Sequence, residues 1–162
     1  MAVPDGRWLQ LGVLVYAHQG GAKEWPSSTL GAMRRAVAAG VDGLELDVHC
    51  SADGHLVCCH DATVDRTTDG SGAIAELDLL HLRSLDPAYH FVPGVGEVHG
   101  RPAGDYPLRG RGPADPDWRF ASLDEVLEEF PEVVINLDIK NTAPAVPRYE
   151  HLLAERLRAH GR

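Results

Sequence analysis

Three carboxylates, Glu45, Asp47 and Asp138, and two histidines, His18 and His60, each stand within or directly after a short apolar run of the chain. Glu45 and Asp47 are two residues apart in an alternating stretch, so on a strand both carboxylates leave the same face. Carboxylate oxygens are hard ligands, and three of them suit Mg²⁺ or Ca²⁺ better than a softer metal. Histidine titrates near neutral pH and passes protons in either direction, while Lys140 brings a positive charge for an anionic substrate. The set therefore suits acid–base work on an anion beside one divalent cation. A Glu-x-Asp pair on a strand is in most sheets only a solvated face. In a parallel-rich sheet both faces are covered, and the same pair is harder to dismiss.

These residues need strands to hold them. Leu11 to Ala17 is an apolar run of β-formers ended by His18, Gln19 and two glycines, and it predicts a buried strand. After Pro26, Ser27 and Ser28 are expected to cap a helix with Leu30, Met33 and Val37 on one side and Gly40 as its stop. Val41 to His49 alternates, with Leu44, Leu46 and Val48 opposite Glu45, Asp47 and His49. Asp53-Gly54 then turns the chain into a run from Leu56 to His60. That linker is too short for a parallel crossover, so the two runs pair antiparallel or leave the sheet between them. Leu77 to Leu85 has helical spacing. Residues 87–119 hold six prolines and six glycines and predict an irregular surface excursion, partly over the site. Ser122-Leu-Asp-Glu125 matches a capping box, Val133 to Lys140 alternates like a strand, and Tyr149 to Ala159 predicts a last helix. The order of elements is an α/β pattern in a single domain, residues 1–162.

Composition narrows the chemistry. The 162 residues carry 24 acidic and 15 basic side chains, a net charge of −9, so nucleic acid is an unsuitable partner. The apolar stretch Leu9 to Ala17 is about half the length that crosses a bilayer, and Arg7 alone precedes it as a basic residue. No transmembrane segment and no secretory leader are expected. Cys50, Cys58 and Cys59 are odd in number and crowded, which predicts strand packing rather than disulfides and a reducing, cytoplasmic home. His49 and His55 flank the turn and are expected to be exposed. His81, His90, His99, His151 and His160 show no partner in the sequence, and His18-Gln-Gly-Gly is too short for a phosphate loop.

Several separated motifs, in order, resemble the glycerophosphodiester phosphodiesterases. Where that family has His-Arg-Gly, Pro-Glu-Asn-Thr, Ala-Gly-Ala-Asp and Glu-x-Asp-Val, this chain has His18-Gln-Gly20, Pro26-Ser-Ser-Thr29, Ala39-Gly-Val-Asp42 and Glu45-Leu-Asp-Val48. It continues with Asp53-Gly54, His60-Asp61, Arg66-Thr-Thr-Asp-Gly-Ser-Gly72, Leu85-Asp86 and Leu137-Asp-Ile-Lys140. The resemblance implies a TIM barrel that cleaves glycerophosphodiesters to sn-glycerol 3-phosphate and an alcohol in lipid and glycerol metabolism. By its pattern His18 and His60 are the acid/base pair, and Glu45, Asp47 and Asp138 hold one divalent cation, Mg²⁺ or Ca²⁺. Gln19 and Lys140 then face the substrate phosphate. Asp86-Pro-Ala-Tyr89 with Phe91-Val-Pro93 is similar to branches that accept lysophospholipids, which makes a lysophospholipase D-like activity an alternative.

Three departures bear on turnover. Gln19 replaces an arginine and cannot replace its charge, Ser27-Ser28 replaces Glu-Asn and drops a carboxylate, and Asp138 is one methylene shorter than the usual glutamate. A full barrel takes about 250 residues, so the resemblance covers what looks like the amino-terminal half of a domain. An open half barrel leaves unpaired strand edges, which implies self-association or completion by another piece. A truncated or degenerate member that binds phosphate esters without turnover is the second expectation.

Overall fold

The computed structural model describes residues 12–141 and 144–162. The predicted first strand begins at Leu11, which lies outside the described residues, as do Leu9 and Arg7. Within them the strand is shorter than expected: β1 spans Tyr16–His18 and runs parallel to β2, Gly43–Cys50. Between them lies α1, Leu30–Ala38. Its cap is Thr29, whose Oγ1 accepts from the Ala32 N–H at 3.3 Å, rather than Ser27 or Ser28. The Ser27 hydroxyl donates to Glu97, while Ser28 takes a left-handed φ of 60°, gives its N–H to the Gln19 carbonyl and buries its hydroxyl without a partner.

The Asp53-Gly54 turn reverses the chain into β3, Leu56–Cys58, which pairs antiparallel with β2, one of the two outcomes left open by the short linker. A 3₁₀ turn at Ile74–Glu76 precedes α2, Leu79–Ser84, capped by Asp78. α3, Leu123–Glu129, carries the capping box in full, with Ser122 and Glu125 exchanging bonds. It leads into β6, Val134–Ile139, parallel to β2, and then to α4, Tyr149–Ala159. Because β1 and β6 both pair with Gly43–Glu45, they flank β2 on opposite sides, and β3 continues the β1 side along Val48–Cys50.

The alternation of β2 sorts its residues as expected. Leu44, Leu46 and Val48 are fully buried; Leu44 and Leu46 pack with Leu30 and Met33 of α1 and with Val126 of α3. Burying side chains of this size contributes about 1.5–3 kcal/mol each and fixes which face of β2 the helices cover. Glu45, Asp47 and His49 are thereby sent to the other face. Burial of the cysteines agrees with strand packing: all three are buried and free, and burial pushes the Cys59 thiol up to about 12 and Cys58 higher still.

Residues 87–119 are not a loose covering. They contain a hairpin, β4 (Phe91–Val92) with β5 (Gly96–Glu97), and a 3₁₀ turn at Ala103–Asp105. Phe91 is fully buried, and Asp86, 1 % exposed, accepts the Ala88 N–H at 3.0 Å, the Gly112 N–H at 3.2 Å and the Gly110 N–H. The Arg109 guanidinium lies 4.3 Å from the Tyr89 ring centre and 3.7 Å from that of Tyr106. Breaker-rich sequence gave turns, but aromatic and charged anchors hold them.

Candidate active site

Register decides which side chains meet. In a parallel ladder paired residues present their side chains to the same face, and His18 pairs with Glu45, Glu45 with Asn136, and Asp47 with Asp138. All three strands run in one direction, so the site gathers toward their carboxyl ends, where open and closed α/β sheets alike place their chemistry. Asn136 was not singled out in the sequence. Its place opposite Glu45, two residues before Asp138 on the same face of β6, is visible only once the register is known.

The turn after β1 brings backbone as well as side chains. Gln19 is 7 % exposed with a left-handed φ of 52°, and its N–H donates to Glu45 Oε2 at 3.0 Å. Such a conformation is uncommon outside glycine and marks sites where surrounding contacts dictate the backbone. Gly20 follows at φ 74°, and a Cβ there would meet Met33 Cγ at 2.8 Å. The ring of His18 is 71 % exposed, with Nε2 4.0 Å from Glu45 Oε2.

Lys140 Nζ reaches Asp47 Oδ1 at 2.9 Å and Asp138 Oδ2 at 2.6 Å. Hydrogen bonds to Asp138 first, and to Asp47, hold this ammonium well above the usual lysine range. Asp47 is 2 % exposed, and its second oxygen, Oδ2, is buried with no hydrogen-bond partner. A buried carboxylate oxygen left unpaired is costly and points to a missing cationic or donor group. The hard oxygens of Glu45, Asp47 and Asp138 fit a divalent cation by donor chemistry. Among the described residues, however, no three metal-ligating side chains converge closely enough to hold an ion, and the Lys140 ammonium stands between two of the carboxylates.

His60 follows β3 and is held tightly. Its Nδ1 lies 2.7 Å from Asp61 Oδ1, and Asp61 Oδ2 accepts from Arg66 Nε. Burial alone raises the Asp61 carboxyl, but the bonds from Arg66 and His60 outweigh it and leave it below the ordinary range. The expectation that His49 is exposed is corrected: it is 2 % exposed, with Nε2 3.3 Å from the His60 carbonyl oxygen, and burial lowers its pKa. The strand does not stop at His49 but continues to Cys50, so the residue is inside the sheet rather than at the turn. Others of the histidines left without a role also have partners. His90 and His99 stack with centres 3.7 Å apart, His99 Nε2 meets the Arg66 carbonyl oxygen, and His160 meets Asp124.

The class of structure is therefore α/β, with carboxylates of β2 and β6 and the ring of His18 on one face toward the carboxyl ends of the parallel strands. Residues 18–161 match the model of the glycerophosphoryl diester phosphodiesterase family, and the chain belongs to that family. It is 35 % identical over 149 residues to a glycerophosphodiester phosphodiesterase of Caldanaerobacter subterraneus, covering 91 % of this chain and 53 % of that protein. It is 43 % identical over 91 residues to human glycerophosphodiester phosphodiesterase 1, covering 53 % of this chain and 28 % of that one. Among solved structures, the phosphodiesterase domain of a Mycobacterium tuberculosis protein superposes with a TM-score of 0.74 at 27 % identity, over 91 % of this chain and 48 % of that one. An Oleispira antarctica phosphodiesterase, solved with sn-glycerol 3-phosphate, gives a TM-score of 0.70 at 26 % identity, over 94 % and 54 %. The chain thus spans about half the length of its longest-matching relatives, and its α/β fold is about half of a TIM barrel. No helix among the described residues is long and apolar enough to cross a membrane.

Proposed function

We propose that this chain carries the acid–base and phosphate-handling part of glycerophosphodiester cleavage to sn-glycerol 3-phosphate and an alcohol. The observation that carries the reading is the carboxylate ladder of β2 and β6, with its unpaired Asp47 Oδ2, beside His18 on β1, and with the Cys59 N–H, one residue before His60, donating to the Asp47 carbonyl at 3.0 Å. An ionised carboxylate only accepts, so Asp61 keeps the proton on His60 Nδ1 and leaves Nε2 free to take one. His60 Nε2 then takes the proton of a glycerol hydroxyl as its oxygen attacks phosphorus, and His18 supplies a proton to the departing alcohol. Water opens the resulting cyclic phosphate with the two roles reversed. Glu45, Asp47 and Asp138 would be the residues to hold a divalent cation, Mg²⁺ or Ca²⁺, which would supply positive charge to the phosphate oxygens. Lys140 adds a fixed ammonium, and Gln19 offers its amide in place of the absent arginine.

The lysophospholipase D-like alternative rests on the resemblance of Asp86-Pro-Ala-Tyr89 and Phe91-Val-Pro93, and release of the alcohol from a lysophospholipid set beside glycerophosphocholine tests it. A second reading, phosphate-ester binding without turnover, is favoured by the Lys140 ammonium seated between Asp47 and Asp138. Glycerol 3-phosphate release from glycerophosphocholine decides between the two readings. Turnover requires that release appears with Mg²⁺ or Ca²⁺, stops with chelator and stops in His60→Ala. Calorimetric binding of glycerol 3-phosphate by folded protein that releases none would establish the second reading instead. Sedimentation of the same sample reads whether copies of the chain assemble through the outer edges of β1 and β6, which pair with no strand among the described residues.

A further inference from the structure

The excursion contributes one side chain to this site that neither the motifs nor the carboxylate ladder contains. Glu97 sits on β5 with its side chain only 7 % exposed. Its Oε1 accepts from the Ser27 hydroxyl at 2.9 Å and from the Ser27 N–H at 3.4 Å. Its Oε2 accepts from Arg66 Nη1 at 3.2 Å. Arg66 Nε donates to Asp61 Oδ2, and Asp61 Oδ1 meets His60 Nδ1. One unbroken line of charge-assisted bonds therefore joins the loop before α1, the hairpin β4–β5 and the acid–base histidine.

A single surface ion pair contributes little, because two long side chains must be frozen in water. This line differs in having a nearly buried end with both carboxylate oxygens occupied. Such an end cannot relax into solvent when a partner moves, so it fixes the Arg66 fork, and the fork fixes the carboxylate that chooses the His60 tautomer. The hairpin is itself secured: the Gly94 N–H donates to the Lys23 carbonyl at 2.7 Å, and His99 Nε2 lies 2.9 Å from the Arg66 carbonyl oxygen. Burial of Glu97 without a catalytic consequence would be an expensive way to close a loop, since a carboxylate loses its hydration there.

We infer that Glu97 is a positioning residue for His60, acting through Arg66 and Asp61, so that the Pro/Gly-rich excursion is part of the acid–base machinery. This rests on the role proposed for His60, but its first test does not. Long-range ¹H–¹⁵N spectra of ¹⁵N-histidine protein, taken where the ring is neutral, report the tautomer directly. The expected result is a proton on Nδ1 in the unaltered chain and a mixed tautomer in Glu97→Gln. Release assays should show kcat down about tenfold in that variant with KM held within about twofold, the pattern of a lost orienting partner. An unchanged His60 tautomer in folded Glu97→Gln overturns the inference whatever the rate. If Glu97→Gln does not fold, Arg66→Lys, which keeps the charge and loses the fork, takes its place with the same criteria. A tautomer change in a chain that releases no glycerol 3-phosphate leaves the positioning role standing and overturns the proposed turnover.

Discussion

His18 and His60 are the same residue type at comparable places, yet they are held by opposite means. His60 is gripped by its own side chain through Asp61, Arg66 and Glu97, and its ring is 44 % exposed. His18 is 71 % exposed, its nearest carboxylate oxygen is 4.0 Å away, and what is fixed around it is backbone: a left-handed Gln19 bonded to Glu45 and a Gly20 pressed against Met33. One corner is ordered by charge and the other by sterics. The difference teaches that the two histidines to which we assign acid and base roles are not prepared alike, and that their sensitivities to mutation should differ in kind.

The largest effect breaks the comparison at the rings. His18→Ala and His60→Ala should each cost about 10²–10⁴ in kcat, but only the His60 corner should have a neighbour, Asp61→Asn, that costs a further-removed loss of about 10–100-fold. Wild-type release by Asp61→Asn would show that the charged line does not orient His60. Next, Gly20→Ala tests the steric corner. It should lower stability in urea by about 1–3 kcal/mol, because its φ of 74° and the Met33 contact both oppose a Cβ. Gly54→Ala, at φ 82° with open space around it, should cost visibly less, and equal midpoints would remove the Met33 contact from the account. The smallest effect is acid dependence. Asp61 has a folded pKa below its unfolded value, so its contribution is complete above about pH 4 and is lost as pH falls further. Urea midpoints between pH 7 and pH 3 should therefore fall less steeply in Asp61→Asn than in the unaltered chain.

Much of the sheet was legible from alternation alone. Leu44, Leu46 and Val48 against Glu45 and Asp47 is a period of two, and the capping box at Ser122 and Glu125 is a local code that nothing distant overrode. What was not legible depended on contacts far apart in sequence. Thr29 caps α1 because the helix starts later than the serines predict: Ser28 is held left-handed with its N–H on the Gln19 carbonyl, and Ser27 is bonded to Glu97, 70 residues away. His49 looked like a turn residue because the end of β2 is set by pairing with β3 rather than by its own sequence. That a carboxylate, Glu97, would meet Ser27 could not be read, since it lies in a stretch whose prolines and glycines hide its anchors.

The long return of the chain to β2 has a temporal side. Tyr149 Oη donates to the Val48 carbonyl across 101 residues, and β6 joins the same strand from nearly as far. At a synthesis rate of about 5–20 residues per second, the free edge of β2 and its leucines wait on the order of 5–20 s for their partners to emerge. During that interval a neighbouring nascent chain can offer an edge of its own, and β3, which arrives first, pairs with Val48–Cys50 on the β1 side and leaves the β6 side of β2 uncovered. The order in which this sheet is completed is therefore itself an exposure, one that grows with crowding on the ribosome rather than with the stability of the finished fold.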